Sequence, residues 1–148
     1  MIDISAGGFS SLACSSFGDL YGWGWNSHGE LGIKTGKNHL SCTKIATEQS
    51  VFVNPQIIEL DCDEDYISEV SSGVNHSIIT TKGGKYFCSG SNEFGQLGIK
   101  KDTKLFKCNK IRDDIYIDCF TELKSEHLKD SSEIFCNSWS TIIINKRN

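Results

Sequence analysis

The chain has 148 residues, enough for one domain with a sizeable core. Its formal net charge of −4 excludes the strongly basic balance of a dedicated nucleic-acid binder, although residues 1–69 hold 3 Lys/Arg against 10 Asp/Glu and residues 70–148 hold 12 against 9. No apolar run is long enough to cross a bilayer as a helix, and no charged n-region and apolar h-region follow Met1, so a nuclear or cytoplasmic chain is expected, neither secreted nor membrane-bound.

In chain order, Leu12-Ala-Cys14 reads as a short strand after the turn at Gly7-Gly8. Phe17-Gly18-Asp19 supplies a hairpin turn, and Leu20-Tyr-Gly-Trp-Gly-Trp25 a return strand. Glycine inside a strand weakens it, so Gly24 implies the close approach of another backbone. Asn26-x-x-Gly29-x-Leu31-Gly32 then predicts a tight loop around one buried leucine. Trp23 and Trp25 share a strand face by alternation, and blade-to-blade packing is the expected use of that face. Asn54-Pro55-Gln-Ile-Ile-Glu-Leu60 fits an outer edge strand with proline at its start.

The pattern then recurs. Residues 4–34 align without a gap on residues 70–100, and 11 of these 31 positions are identical, 5 of them glycine. The second copy carries Gly73, His76, the strand Ile78-Ile-Thr80, the hairpin glycine Gly84, the return strand Tyr86-Phe-Cys-Ser-Gly90-Ser91, and Asn92-x-x-Gly95-x-Leu97-Gly98. A third copy opens at Ile134 and runs to Ile144. The expected organisation is a first repeat over 1–69 with an acidic insertion, a second over 70–133 with a basic loop, and the opening strand of a third over 134–148. One short helix is predicted over residues 118–129. Repeat units of this kind bury their apolar faces against neighbours, which predicts an all-β propeller built of antiparallel blades, about two blades and the opening of a third. Two open blades leave exposed edge strands, so the missing blades are expected from a longer chain or an assembly.

These motifs resemble the regulator-of-chromosome-condensation repeat. The likeness rests on Gly-x-x-His-Ser (Gly73 to Ser77), a hairpin glycine, an aromatic strand, and Gly-x-Asn-x-x-Gly-Gln-Leu-Gly (Gly90 to Gly98), with the Asn-x-x-Gly-x-Leu-Gly signature twice in frame. The family resemblance implies a seven-bladed propeller. Ala6-Gly-Gly-Phe9, the Trp-rich return strand and Cys136-Asn-Ser-Trp139 are most similar to the C-terminal blades of the family's small nuclear branch, which pairs with a JmjC-type oxygenase. The chain departs from the pattern at Ser10 and Ser140, where the second copy has His76, and in its 66-residue spacing.

The resemblance implies a non-catalytic protein-interaction scaffold of the chromatin-associated kind, with a chromatin protein or a JmjC-type oxygenase as partner. Its second implication is a guanine-nucleotide exchange module for a small GTPase, which needs loops from a complete ring. The residues themselves suggest no enzyme, cofactor or metal site. The 7 cysteines are never closer than 11 residues, so no Cys-x-x-Cys pair forms and buried reduced thiols are expected. His28, His39, His76 and His127 are scattered, and His76 is expected to satisfy backbone groups between strands. Two loops are candidates for partner binding. The acidic run with Asp61, Asp63, Glu64 and Asp65 suits a basic tail. The basic stretch with Lys104, Lys107 and Lys110 suits an acidic patch, and it leaves contact with nucleic-acid phosphates open. A solvated surface is the competing reading for both.

Overall fold

The computed structural model describes residues 3–33, 51–60, 65–99, 107–109, 114–124, 128 and 132–145. Among them the secondary structure is all strand. The first sheet orders β1 (Asp3–Ala6), β2 (Ser10–Cys14), β3 (Leu20–Trp25) and β4 (Val51–Ile58) as an antiparallel meander. The second contains β5 (Ile67–Ser72), β6 (His76–Thr81), β7 (Tyr86–Ser91), β8 (Lys107–Asn109) and β9 (Asp114–Glu122), in the spatial order β5-β6-β7-β9-β8. The third is a hairpin of β10 (Ser132–Cys136) and β11 (Thr141–Asn145). The third copy thus contributes an antiparallel pair to the opening of its blade.

The sheets stack face to face as blades. Leu12, Cys14, Leu20, Leu31 and Ile58 of the first pack against Ile67, Val70, Ile79 and Phe87 of the second. The opposite face of the second blade, with Ile78, Tyr86, Cys88, Leu97, Ile117 and Leu123, packs against Ile134 of the third. Alternation along β6 and β7 places Ile79 and Phe87 on one face and Ile78 and Cys88 on the other. This two-sided burial leaves β7 buried along its whole length and β6 along all but Thr80.

The repeat extends to irregularities. The pairing of β3 with β4 shifts between Gly22 and Gly24, and that of β7 with β9 shifts between Cys88 and Gly90. Gly24 and Gly90 have φ of 98° and 105°, a region costly for residues with a Cβ. Trp25 and Ser91, next in line, donate their N–H groups to Phe9 O at 2.8 Å and Asn75 O at 2.7 Å. The expected close approach at these glycines is therefore that of the preceding β-turn, β1–β2 or β5–β6.

Three expectations change. Residues 118–122 lie in β9 and not in a helix. Its sequence Asp-Ile-Tyr-Ile-Asp-Cys-Phe-Thr-Glu alternates, and pairing with the free edge of β7 supplies the backbone partners. Pro55 is not at the start of its strand but in mid-β4. It lies at the bulge of an edge strand, where the lack of an N–H costs no ladder bond. Trp25 does not pack between blades. The irregularity at Gly24 breaks the alternation, and the exposed Trp25 ring lies on Phe9 with centroids 5.1 Å apart.

Candidate functional site

The signature loops are the most repeated surface feature, and side-chain hydrogen bonds shape both alike. Asn26 Oδ1 accepts from Leu31 N–H at 2.9 Å, while its Nδ2 donates to Ile33 O at 3.1 Å. Asn92 does the same with Leu97 N–H at 2.9 Å and Ile99 O at 2.9 Å. The amide closes the loop on itself, and Leu31 and Leu97 are driven into the core with 0% and 1% exposure. Gly18 and Gly84 sit at positive φ in the hairpin turns, and Gly29, Gly32, Gly95 and Gly98 at positive φ in the loops.

Between asparagine and leucine lies an acid that the sequence reading passed over. Glu30 is 2% exposed, and its Oε2 accepts from His28 N–H at 2.7 Å. Gln96 occupies the equivalent place, and its Oε1 accepts from Phe94 N–H at 2.9 Å. Burial pushes the Glu30 carboxyl up to about 7, against the pull of the loop N–H groups. The available signal was its alignment with an amide inside an otherwise buried turn.

Other repeated polar residues tie blade to blade. Ser5 Oγ accepts from Ser72 N–H at 3.0 Å, and its copy Ser71 accepts from Cys136 N–H at 2.8 Å. Asp3 Oδ2 accepts from Val70 N–H at 2.9 Å. The turns at Gly7 and Gly73 continue the series, with Gly8 N–H donating to Gly73 O at 3.3 Å and Val74 N–H to Ser138 O at 3.0 Å. Ser89 Oγ lies 2.5 Å from Gly29 O, clasping the first signature loop to the second blade.

His76 is fully buried, and its ring packs over Gly73. Its Nε2 lies 3.2 Å from Thr141 Oγ1, which itself donates to Gln96 O at 2.6 Å. With the hydroxyl proton thus committed, Nε2 is the donor, and burial favours the neutral imidazole. The histidine therefore joins the second blade to the third through Thr141, with the Ser140 backbone also within its reach. Burial lowers its pKa to about 4.

Opposite pH dependences follow for the two groups. Glu30 favours the fold while protonated, so its contribution is complete below pH 4.5 and is lost as pH rises through about 7. His76 favours the fold while neutral, so its contribution is present above pH 6.5 and is lost as pH falls toward 4. Glu30→Gln, which keeps an acceptor for His28 N–H, is expected to raise stability above pH 7 by about 1–3 kcal/mol and to leave the acid limb in place. Urea titrations of both proteins from pH 4 to 8 check this.

The charged candidates are less completely placed. Asp61, Asp63, Glu64, Lys104 and Lys110 lie outside the described residues, and Lys107 opens β8. Asp65 supports the β6–β7 turn, with Oδ1 accepting from Gly83 N–H at 3.0 Å. Among the described residues no three His, Cys, Asp or Glu side chains gather in a metal-binding arrangement. Cys14 and Cys88 are buried free thiols, and burial raises both their pKa values, that of Cys88 to about 12.

The profile of the regulator of chromosome condensation (RCC1) repeat matches residues 18–80, and a second profile of the same repeat matches residues 1–30 and 67–96. The chain belongs to the RCC1-repeat family. Over 97% of its length it is 25% identical to the RCC1 domain-containing protein 1 of Mus musculus, of which it covers 41%. A crystal structure of Prp20p from Saccharomyces cerevisiae, described with its binding to Gsp1p and histones, superposes with a TM-score of 0.75 at 18% identity, over 95% of this chain and 30% of that one. Yeast RCC1 (Prp20) bound to Kap60 gives a TM-score of 0.74 at 18% identity, over 95% of this chain and 29% of the other. The chain thus spans less than half the length of these RCC1 proteins, and its sheets are RCC1 propeller blades.

Proposed function

We propose that the chain is a non-catalytic protein-interaction scaffold of the RCC1 type, associated with chromatin, acting in the nucleus or cytoplasm. The observation that carries this reading is where the repeated polar groups go. Asn26, Asn92, Ser5, Ser71 and His76 are taken up in closing loops and joining blades. The described turn tips are left to meet a partner. The aromatic pairs Phe9–Trp25 and Phe94–Trp139 are exposed at such tips.

Histone binding described for Prp20p makes a basic histone segment the first partner to test against the acidic run. A JmjC-type oxygenase, the partner that the family resemblance implied, is the second to test. The test uses the full chain and recombinant histones at low and high salt. Neutralising Asp61, Asp63 and Glu64 together is expected to weaken binding about tenfold at low salt, with little difference at high salt. Asp65 is kept because it holds a turn. Unchanged binding contradicts the assignment of the acidic run. Release of labelled GDP from a panel of small GTPases is expected to stay at the intrinsic rate, and acceleration of any one favours an exchange module instead.

A further inference from the structure

The antiparallel order sorts the turns between two ends of the blades. The β1–β2, β5–β6 and β10–β11 turns and both signature loops lie at one end, where Gly8 N–H donates to Gly73 O and Val74 N–H to Ser138 O. The β2–β3 and β6–β7 turns lie at the other, with Tyr66 O accepting from Lys82 N–H. Charge is sorted in the same way. Among the described residues the hairpin end carries Lys82, Lys85 and Lys124, whereas no turn or loop at the signature end holds a lysine or arginine. The signature end is aromatic instead. Phe9, Trp25, Phe94 and Trp139 are all exposed there, and the exposed Glu93 adjoins Phe94.

The four rings form two pairs on braced backbone. Phe9 and Trp25 have centroids 5.1 Å apart, and Trp25 N–H donates to Phe9 O at 2.8 Å. Phe94 and Trp139 meet edge to face at 5.8 Å. Asn137 N–H closes the turn of Trp139 on Ser140 O at 2.8 Å, and Phe94 N–H is held by Gln96 Oε1. Phe9 and Trp139 occupy the same repeat position, but Trp25 and Phe94 do not, so a ring pair is built twice by different means. These tips stay at the surface when neighbours are present. Val74 and Asn75, in the matching turn of the blade flanked on both sides, are half-buried and not sealed. So is His28, the counterpart of Phe94 in the loop that the second blade covers.

An exposed aromatic face attracts a cation. At the hairpin end the chain supplies its own, with Lys82 Nζ 5.8 Å from the centroid of Tyr66. Among the described residues no cation lies over the rings of the signature end. Residues 1–69, which carry Phe9 and Trp25, hold 3 Lys/Arg against 10 Asp/Glu. We propose that the signature end is a docking surface for an arginine-bearing basic segment of a partner, with one guanidinium received on each aromatic pair. Arginine suits these rings better than lysine, because its flat and weakly hydrated guanidinium stacks on them. The braced tips are ordered before the partner arrives, so little freedom is lost on binding. This surface rests on the scaffold reading above but not on the acidic run, and the two assignments can fail separately.

Three peptides of equal length test it, with glycine alternating with arginine, lysine or leucine. Each is titrated into the full chain while the indole N–H signals are followed by NMR. The arginine peptide is expected to shift Trp25 and Trp139 and to leave the half-buried Trp23 of β3 in place. It is expected to bind about threefold more tightly than the lysine peptide, and the leucine peptide not to bind. Trp25→Leu combined with Trp139→Leu is expected to weaken binding about tenfold, and Trp25→Phe with Trp139→Phe, which keep a ring, to restore most of it. Neutralising Asp61, Asp63 and Glu64 is expected to leave the indole shifts intact. If histone binding also ignores that change while the shifts persist, only the acidic run is excluded. Equal binding of the arginine and lysine peptides, unaffected by the leucine substitutions, would assign binding to charge alone and overturn the proposal. So would tight binding of the leucine peptide, shifts confined to Trp23, or loss of the shifts when the acidic run is neutralised.

Discussion

Leu97→Ala is expected to destabilise the chain by about 2–5 kcal/mol, the range for truncating a core leucine. Leu97 is 1% exposed and belongs to the core that Ile78, Tyr86, Cys88 and Leu123 of the second blade share with Ile134 of the third. Asn92 holds its backbone in place, so the loop is not free to collapse into the void. Leu31→Ala, in the larger core between the first two blades, belongs in the same range or above it. Urea denaturation of both variants measures the losses. A change below half a kcal/mol in either would mean that its loop is not anchored through the leucine.

Gly90→Ala is the second large effect. A methyl group there collides with Asn75 O and comes 2.6 Å from His76 Cα, and φ is 105°. Backbone strain of this kind costs about 1–3 kcal/mol before any clash is counted. Relieving the clash means parting β7 from the β5–β6 turn and losing the bond from Ser91 N–H to Asn75 O. The expected loss exceeds 3 kcal/mol in total, near that of the leucine truncations. Gly95→Ala is the control. Its φ of 80° carries the strain alone, since a Cβ there meets nothing within 4 Å. Equal losses for the two variants would show that the close approach at Gly90 contributes nothing.

The repeat made the hairpins legible. Paired glycines at Gly24/Gly90 and the Asn-x-x-Gly-x-Leu-Gly signature mark places where the backbone has few alternatives, and β3 and β7 run as read from residues 20–25 and 86–91. What stayed hidden depended on neighbours distant in sequence. Ser5 and Ser71 were visible as an identity, but their bonds to Ser72 N–H and Cys136 N–H exist only once the blades stack. Glu30 went unread because acids are seldom buried, and its carboxylate is held inside by the loop N–H groups. Residues 118–129 were expected to hold one short helix, yet the free edge of β7 captures residues 118–122 as strand. Trp25 followed the alternation until the shift at Gly24 turned it toward Phe9.

Hydrogen exchange of the full chain across a urea series below the unfolding transition tests the stacking of the first two blades most directly. Leu12, Leu20 and Leu31 share one core with Ile79 and Phe87, and Ser5, Asp3 and Ser89 bond across the same boundary. The amides of β2 and β6 are therefore expected to open together, with exchange free energies that merge into a single global value as urea rises. Separate values for β2 and β6, each with its own urea dependence, would show that the blades unfold independently and would contradict this account.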